Sequence, residues 1–165
     1  MAVPEFLNIT VQSDSGSFNV TANAGTYRCL VVWTRDNVDT VTAVTWGGDA
    51  LTLIESETYD SLDQRVWIRA IGNAEDNETK TLTVTSTNAN NLRVFAMVYQ
   101  YVNQTTPNQS QDISSSEDLY ASTFTGANMA YTGADALVVA YGQIGAGTVS
   151  ITNSGFTQRG AIILG

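Results

Sequence analysis

The strongest constraint on this chain is a recurrence of short segments in which apolar and polar residues alternate, each closed by Asn, Asp, Ser or Gly. From Thr79 to Thr87 the odd positions are all Thr, while Leu82 and Val84 stand on the other side. A period of two places successive side chains on opposite faces of a strand, and Thr, Val, Ile and aromatic residues suit that pleated, half-buried surface. No segment shows the apolar repeat of about 3.6 residues that marks an amphipathic helix. The alternation predicts strands at 6–12, 17–22, 27–34, 41–46, 50–56, 64–71, 79–87, 92–102, 128–132, 136–142, 147–152 and 156–163. Turn signals lie between them at Ser13-Asp14-Ser15-Gly16, Asn23-Ala24-Gly25, Arg35-Asp36-Asn37, Trp46-Gly47-Gly48-Asp49, Gly72-Asn73-Ala74 and Asn153-Ser154-Gly155. Many short strands at this spacing specify an all-β sandwich or barrel.

Three segments are apolar on both faces and belong at the middle of a sheet. Tyr27, Cys29, Val31 and Trp33 oppose Leu30 and Val32; Leu92, Val94, Ala96 and Val98 oppose Phe95, Met97, Tyr99 and Tyr101; Ala136 to Tyr141 follows the same rule. Central strands so far apart in sequence require a Greek-key or jelly-roll winding, which a simple meander does not produce. The expected fold is a single antiparallel, jelly-roll-like β-sandwich of about 8–12 short strands. No composition break or internal repeat divides the 165 residues, so one domain is expected, with an N-terminal arm at 1–6 and a polar surface excursion at 103–118. A chain of this length buries roughly 70% of its unfolded surface, enough for one self-sufficient core.

Composition excludes function classes. Charged residues are 14%, against a globular average of about 25%, so Thr, Ser and Asn must supply the polar surface. The net charge of −9 repels phosphate backbones and anionic lipid headgroups, and neither nucleic acid nor a membrane is an expected partner. The absence of His removes the usual general base near neutral pH, the commonest metal ligand and every Ser-His or Cys-His nucleophile. No cofactor is expected. A single Cys cannot close an intramolecular disulfide, and the N-terminus has no basic and apolar leader pattern, so folding in a reducing cytoplasm is expected.

Few residues suggest chemistry. Glu55 and Glu57 sit at i and i+2 on a predicted strand, about 6.5–7 Å apart, near the spacing of paired glycosidase carboxylates. They stand at a strand end before a polar turn, with no desolvating shell, and read as a solvated end. Asp36 with Asp39, Glu75-Asp76 with Glu78, and Glu55, Glu57, Asp60 and Asp63 are acidic clusters without EF-hand or nonapeptide spacing, and they read as solvated loops. Trp46, beside Gly47-Gly48, and Trp67, between Val66 and Ile68, are the candidate rings for stacking on a sugar, an alternative that needs exposed aromatic faces. Trp33 and Cys29 alternate in phase with Val31 and read as core. The sequons at Asn8, Asn19, Asn77, Asn103 and Asn108 follow from a chain rich in Asn and Thr. The threonine row at 79–87 occurs once and reads as a solvent face, because an ice-ordering surface needs several stacked rows.

Val41-Thr42-Ala43-Val44-Thr45-Trp46-Gly47-Gly48-Asp49-Ala50-Leu51-Thr52-Leu53, Val98-Tyr99-Gln100-Tyr101-Val102-Asn103-Gln104-Thr105-Thr106-Pro107 and Gly155-Phe156-Thr157-Gln158-Arg159 occur in this order. The set resembles β-sandwich domains of bacterial surface proteins and of tail and capsid-associated proteins of tailed bacteriophages. The resemblance implies a non-catalytic architectural domain and carries no catalytic residue. Such domains usually continue past the Gly-Phe-Thr element, whereas this chain closes on Ile162-Ile163-Leu164-Gly165, leaving an apolar edge to be covered by an oligomer or a host surface. The expectation is a capsid decoration (cement) protein on the virion exterior, made in the host cytoplasm, with the major capsid protein as partner and a homotrimer as the favoured oligomer. Candidate interface residues are Val3, Pro4, Phe6, Gln104, Thr105, Pro107, Ile162, Ile163 and Leu164. The alternative is a carbohydrate-binding or adhesive module.

Overall fold

A computed structural model describes residues 4–37, 39–59, 62–87 and 91–107, with Tyr59 and Leu62 described by their backbone alone. The expected strands at 128–132, 136–142, 147–152 and 156–163 lie outside the described residues. The described residues form nine strands: β1 (Glu5–Ser13), β2 (Ser17–Ala22), β3 (Gly25–Asp36), β4 (Ala43–Trp46), β5 (Asp49–Ala50), β6 (Thr52–Tyr59), β7 (Leu62–Ala74), β8 (Glu78–Thr85) and β9 (Arg93–Gln100). They form a five-stranded sheet in the order β1-β9-β3-β7-β6 and a four-stranded sheet in the order β2-β8-β4-β5, all pairs antiparallel. Among the described strands only β4–β5 and β6–β7 are hairpins between consecutive strands; every other pairing joins distant segments, as the doubly apolar strands required. This is an all-β sandwich.

Sequence and packing agree on why β3 and β9 are central. One side of the five-stranded sheet, through Leu30, Val32, Trp67, Val94, Ala96 and Val98, meets Val20, Ala22, Val44, Trp46, Leu82 and Val84 of the other sheet. Buried indole nitrogens need partners, and here Trp46 Nε1 donates to the Val20 carbonyl at 3.2 Å while Trp67 Nε1 donates to Thr34 Oγ1 at 3.2 Å. The opposite side of the same sheet carries a second apolar layer. Val31 stands between Ile68 and Met97, and Trp33 between Val66 and Phe95, in strict register.

Three local differences from the expected pattern have physical causes. The segment expected as one strand at 50–56 divides at Leu51, whose N–H donates to the Val44 carbonyl (2.9 Å) and whose side chain enters the core as the chain crosses between sheets. The short β5 pairs back on β4 through Gly47 (φ 62) and Gly48 (φ 86), the two left-handed residues of a type I′ hairpin. Tyr27, expected to share the face of Cys29, is exposed instead. It adopts φ 51, and the register of β3 on β7 shifts around Arg28. Glu5, expected in a terminal arm, is the first residue of β1, and Phe6, where the strand was expected to begin, pairs with Tyr99 and packs edge-on against its ring.

Candidate functional site

The alternation that buries Leu82 and Val84 sends Thr79, Thr81, Thr83 and Thr85 outward on β8. Register then widens the row into a surface. Ser17, Asn19 and Thr21 of β2 stand opposite Thr83, Thr81 and Thr79, and Ala43 and Thr45 of β4 stand opposite Thr85 and Thr83 on the other side. Hydroxyls meet across the strands: Thr21 Oγ1 and Thr79 Oγ1 are 2.8 Å apart, and Thr81 Oγ1 donates to Asn19 Oδ1 at 3.4 Å. None of these outward residues is ionisable, although the chain carries 23 charged side chains by its counts of 7 basic and 16 acidic. Strand spacing and rise make the surface about 20 Å long and 14 Å wide. The single row read from the sequence is therefore part of a two-dimensional neutral face.

Several of the described charges are held in fixed pairs away from this face. Arg28, fully buried, is the chief of these, and its guanidinium donates to the carbonyls of Gly72 (3.1 Å), Asn23 (3.2 Å) and Ala22 (3.4 Å) and pairs with the Glu78 carboxylate. It ties the end of β7 to the end of β2 and to β8. That hydrogen bond, with a smaller contribution from Lys80, holds the Glu78 carboxyl below the usual carboxylate range. At the other end Asp63 accepts from Arg65 Nε (2.8 Å) and the Val41 N–H (3.1 Å), and Asp36 accepts from Ser86 Oγ (2.9 Å) and the Asp39 N–H (3.2 Å). Both carboxylates serve as loop caps. Lys80, the one lysine, lies over the Trp46 ring at 4.4 Å.

The residues singled out in the sequence fall as follows. Trp46 and Trp67 are 2% and 4% exposed in the inter-sheet core, so neither presents a ring face for a sugar. Glu55 and Glu57 stand opposite Val66 and Gln64 on the edge strand β6, on one face as expected, after a bulge at Leu53–Glu55. Glu55 Oε1 accepts the Ser56 N–H at 3.0 Å. Among the described residues no group of three or more Asp, Glu or Cys side chains is placed to hold a metal ion. Cys29 is fully buried, and burial pushes its thiol up to about 12. Of the candidate interface residues, Phe6 packs into the second apolar layer and Pro4 is half-buried. Gln104 is an internal pin, accepting from the Gly72 N–H (2.9 Å) and donating to the Arg28 carbonyl (3.1 Å). Thr105 and Pro107 line a shallow cleft with Ile54, Ile68 and Ala70. Val3, Ile162, Ile163 and Leu164 lie outside the described residues.

Sequence reasoning missed the buried Arg28. Its one signal was position: a charged residue between Tyr27 and Cys29 at the start of a strand apolar on both faces. No family model, curated protein or solved structure matches the chain.

Proposed function

We propose that this protein is an architectural binding module, a capsid decoration protein of a tailed phage, and that it attaches through the neutral face of the four-stranded sheet. What carries the reading is the segregation of charge. In a chain of net charge −9 the described outward residues of β2, β8 and β4 include no ionisable group, and depletion of charge is the compositional mark of an interface core because a buried unpaired charge is costly. Threonine hydroxyls on a rigid strand offer hydrogen bonds at little entropic loss. The resemblance of 41–53 and 98–107 to capsid-associated sandwiches points to the major capsid protein as partner. A face about 20 Å by 14 Å covers less than the roughly 800 Å² per partner of a standard interface. Stable attachment then requires several copies acting together, for which a trimer is the favoured assembly. A protein that binds only the assembled shell stabilises it by mass action.

The test is reconstitution with purified particles. Wild-type protein is expected to sediment with capsids at a fixed ratio to the major subunit and to raise their survival of heat and low salt. Thr81→Lys with Thr83→Glu, both solvent-facing, is expected to fold normally and remain in the supernatant. Retention of that variant would reject the face, and failure of the wild type to associate with any particle would reject the function. A saturable glycan-array signal from the isolated protein would favour the adhesive alternative.

A further inference from the structure

We propose that Tyr27, held outward on a left-handed backbone near the start of β3, is the stacking platform of a site for a neutral pyranose sugar, which occupies the hollow beside it between 24–26 and 73–75. The site is separate from the threonine face of the other sheet, and capsid attachment does not depend on it.

Tyr27 is 53% exposed, the most exposed of the large hydrophobic side chains described, and its φ is 51. A bulky residue in the left-handed region is strained, and such strain persists only where the surrounding structure over-determines it. Here hydrogen bonds do so from several sides. The Tyr27 N–H donates to Asn73 Oδ1 (2.6 Å), the Tyr27 carbonyl accepts the Val102 N–H (3.0 Å), and the Thr26 carbonyl before it accepts the Tyr101 N–H (2.9 Å). Arg28, the next residue, is anchored inside by the Gly72 and Asn23 carbonyls, and its own carbonyl accepts from Gln104 Nε2 (3.1 Å). The register of β3 on β7 shifts on both sides of Arg28. Plain alternation would have put Tyr27 on the side of Cys29 and Val31; the shift turns the ring into solvent and fixes its backbone there. A ring already ordered costs little entropy when a ligand meets it.

The hollow supplies the rest of the site. Where β2 passes into β3 and β7 into β8, Ala24, Gly25, Thr26, Asn73, Ala74 and Glu75 line an open space of about 700 Å³, within the range of small-molecule sites. Gly25 and the two alanines leave room for a ring, and the other three residues are polar. Asn73 uses its Oδ1 on Tyr27, so its amide nitrogen keeps two donors. Among the described residues Thr26 Oγ1 and the Glu75 carboxylate have no hydrogen-bond partner, and they add a donor and several acceptors. An aromatic ring beside small residues, with donors and acceptors around them, matches a pyranose, whose C–H face is apolar and whose hydroxyls both donate and accept. Anionic ligands are disfavoured by Glu75 and the adjacent Asp76, because Arg28 is buried and its guanidinium is committed to Glu78 and to backbone carbonyls. Trp46 and Trp67 lie in the core, whereas Tyr27 stands in solvent.

The test is an amide NMR titration of the isotope-labelled full chain with the methyl glycosides of glucose, galactose, mannose and N-acetylglucosamine. At least one is expected to move the Thr26, Tyr27 and Asn73 amides saturably, with a Kd of about 1 mM, the scale for one sugar ring in an open site. Tyr27→Phe keeps the ring and should bind within about twofold of wild type, whereas Tyr27→Gly should weaken binding by about tenfold or more. Glycine takes the left-handed backbone without strain, so Tyr27→Gly is also expected to raise the thermal midpoint by about 2 °C. A more stable protein that no longer binds is a result that a merely structural tyrosine would not give. Thr81→Lys with Thr83→Glu should leave the titration unchanged, so that capsid attachment and sugar binding fail separately. Any of three results overturns the proposal: none of the four glycosides moves these amides, Tyr27→Gly binds as wild type or lowers the midpoint, or the Thr81→Lys, Thr83→Glu variant loses the response.

Discussion

The two sheets of this sandwich obey different rules. In the four-stranded sheet one side is apolar and the other is a neutral hydroxyl surface, so Val84 of β8 is buried and Thr83 beside it is exposed. In the five-stranded sheet both sides are apolar, and along β3 successive residues from Cys29 to Trp33 are all buried. A sheet needs one covered side to be stable. A sheet apolar on both sides has spent its polar face and must sit in the middle of three layers or against a partner.

Several substitutions would break or sharpen this contrast. The largest effect belongs to the layer shared by both sheets. Trp46→Ala removes a nearly fully buried ring and orphans the Val20 carbonyl, with an expected loss of about 3–5 kcal/mol in denaturant unfolding. Next is the direct test of the two outward sides. Met97→Asp on the five-stranded sheet is expected to cost about 3 kcal/mol, whereas Thr83→Asp on the four-stranded sheet should stay within about 0.5 kcal/mol. Similar costs for the two would erase the distinction.

Arg28→Met probes the tie between the sheets, and about 2 kcal/mol is expected because Glu78 and several carbonyls lose their donor. Its pH dependence has a definite sign. The folded-state pKa of Glu78 is depressed, so the stabilisation is present above the unfolded carboxylate pKa of about 4.3 and is lost as pH falls toward the folded value. The stability gap between wild type and Arg28→Met is therefore expected to narrow on acidification below about pH 4.3.

A smaller loss than that at Arg28 is expected at the β4–β5 hairpin. Gly48→Ala meets open space at φ 86, so it should cost only the left-handed backbone penalty of about 1 kcal/mol. Gly47→Ala should cost slightly more, since its Cβ would lie 2.7 Å from Lys80 Cδ and push that side chain off Trp46. Equal values for the two glycines would show that Lys80 adjusts without loss.

Legibility in the sequence followed the range of the forces involved. Strand positions were readable because alternation is local: β2 occupies the expected 17–22, β9 lies within the expected 92–102, and β8 starts one residue before the expected 79–87. The centrality of β3 and β9 was readable because two apolar faces admit no edge position. The neutral face was half readable. Its threonine row stood in the sequence, but the Asn19, Thr21 and Thr45 side chains that widen it are 38 to 62 positions from the threonines they face and join only through register. Trp46 read as a candidate sugar-stacking ring because glycines follow it; in the structure it stands in phase with Val44 on the core side of β4, beneath Lys80.

The sequence by itself determined that this chain is all-β, which strands are central, and that charge is scarce and acidic, because each of these follows from residue type and a period of two. Only the tertiary structure decided which strands share a sheet, that Arg28 lies inside, that Arg35 faces Arg93, and that one sheet carries apolar layers on both sides. Those facts depend on pairings between residues tens of positions apart, where a shift of one residue reverses every side chain from one face to the other.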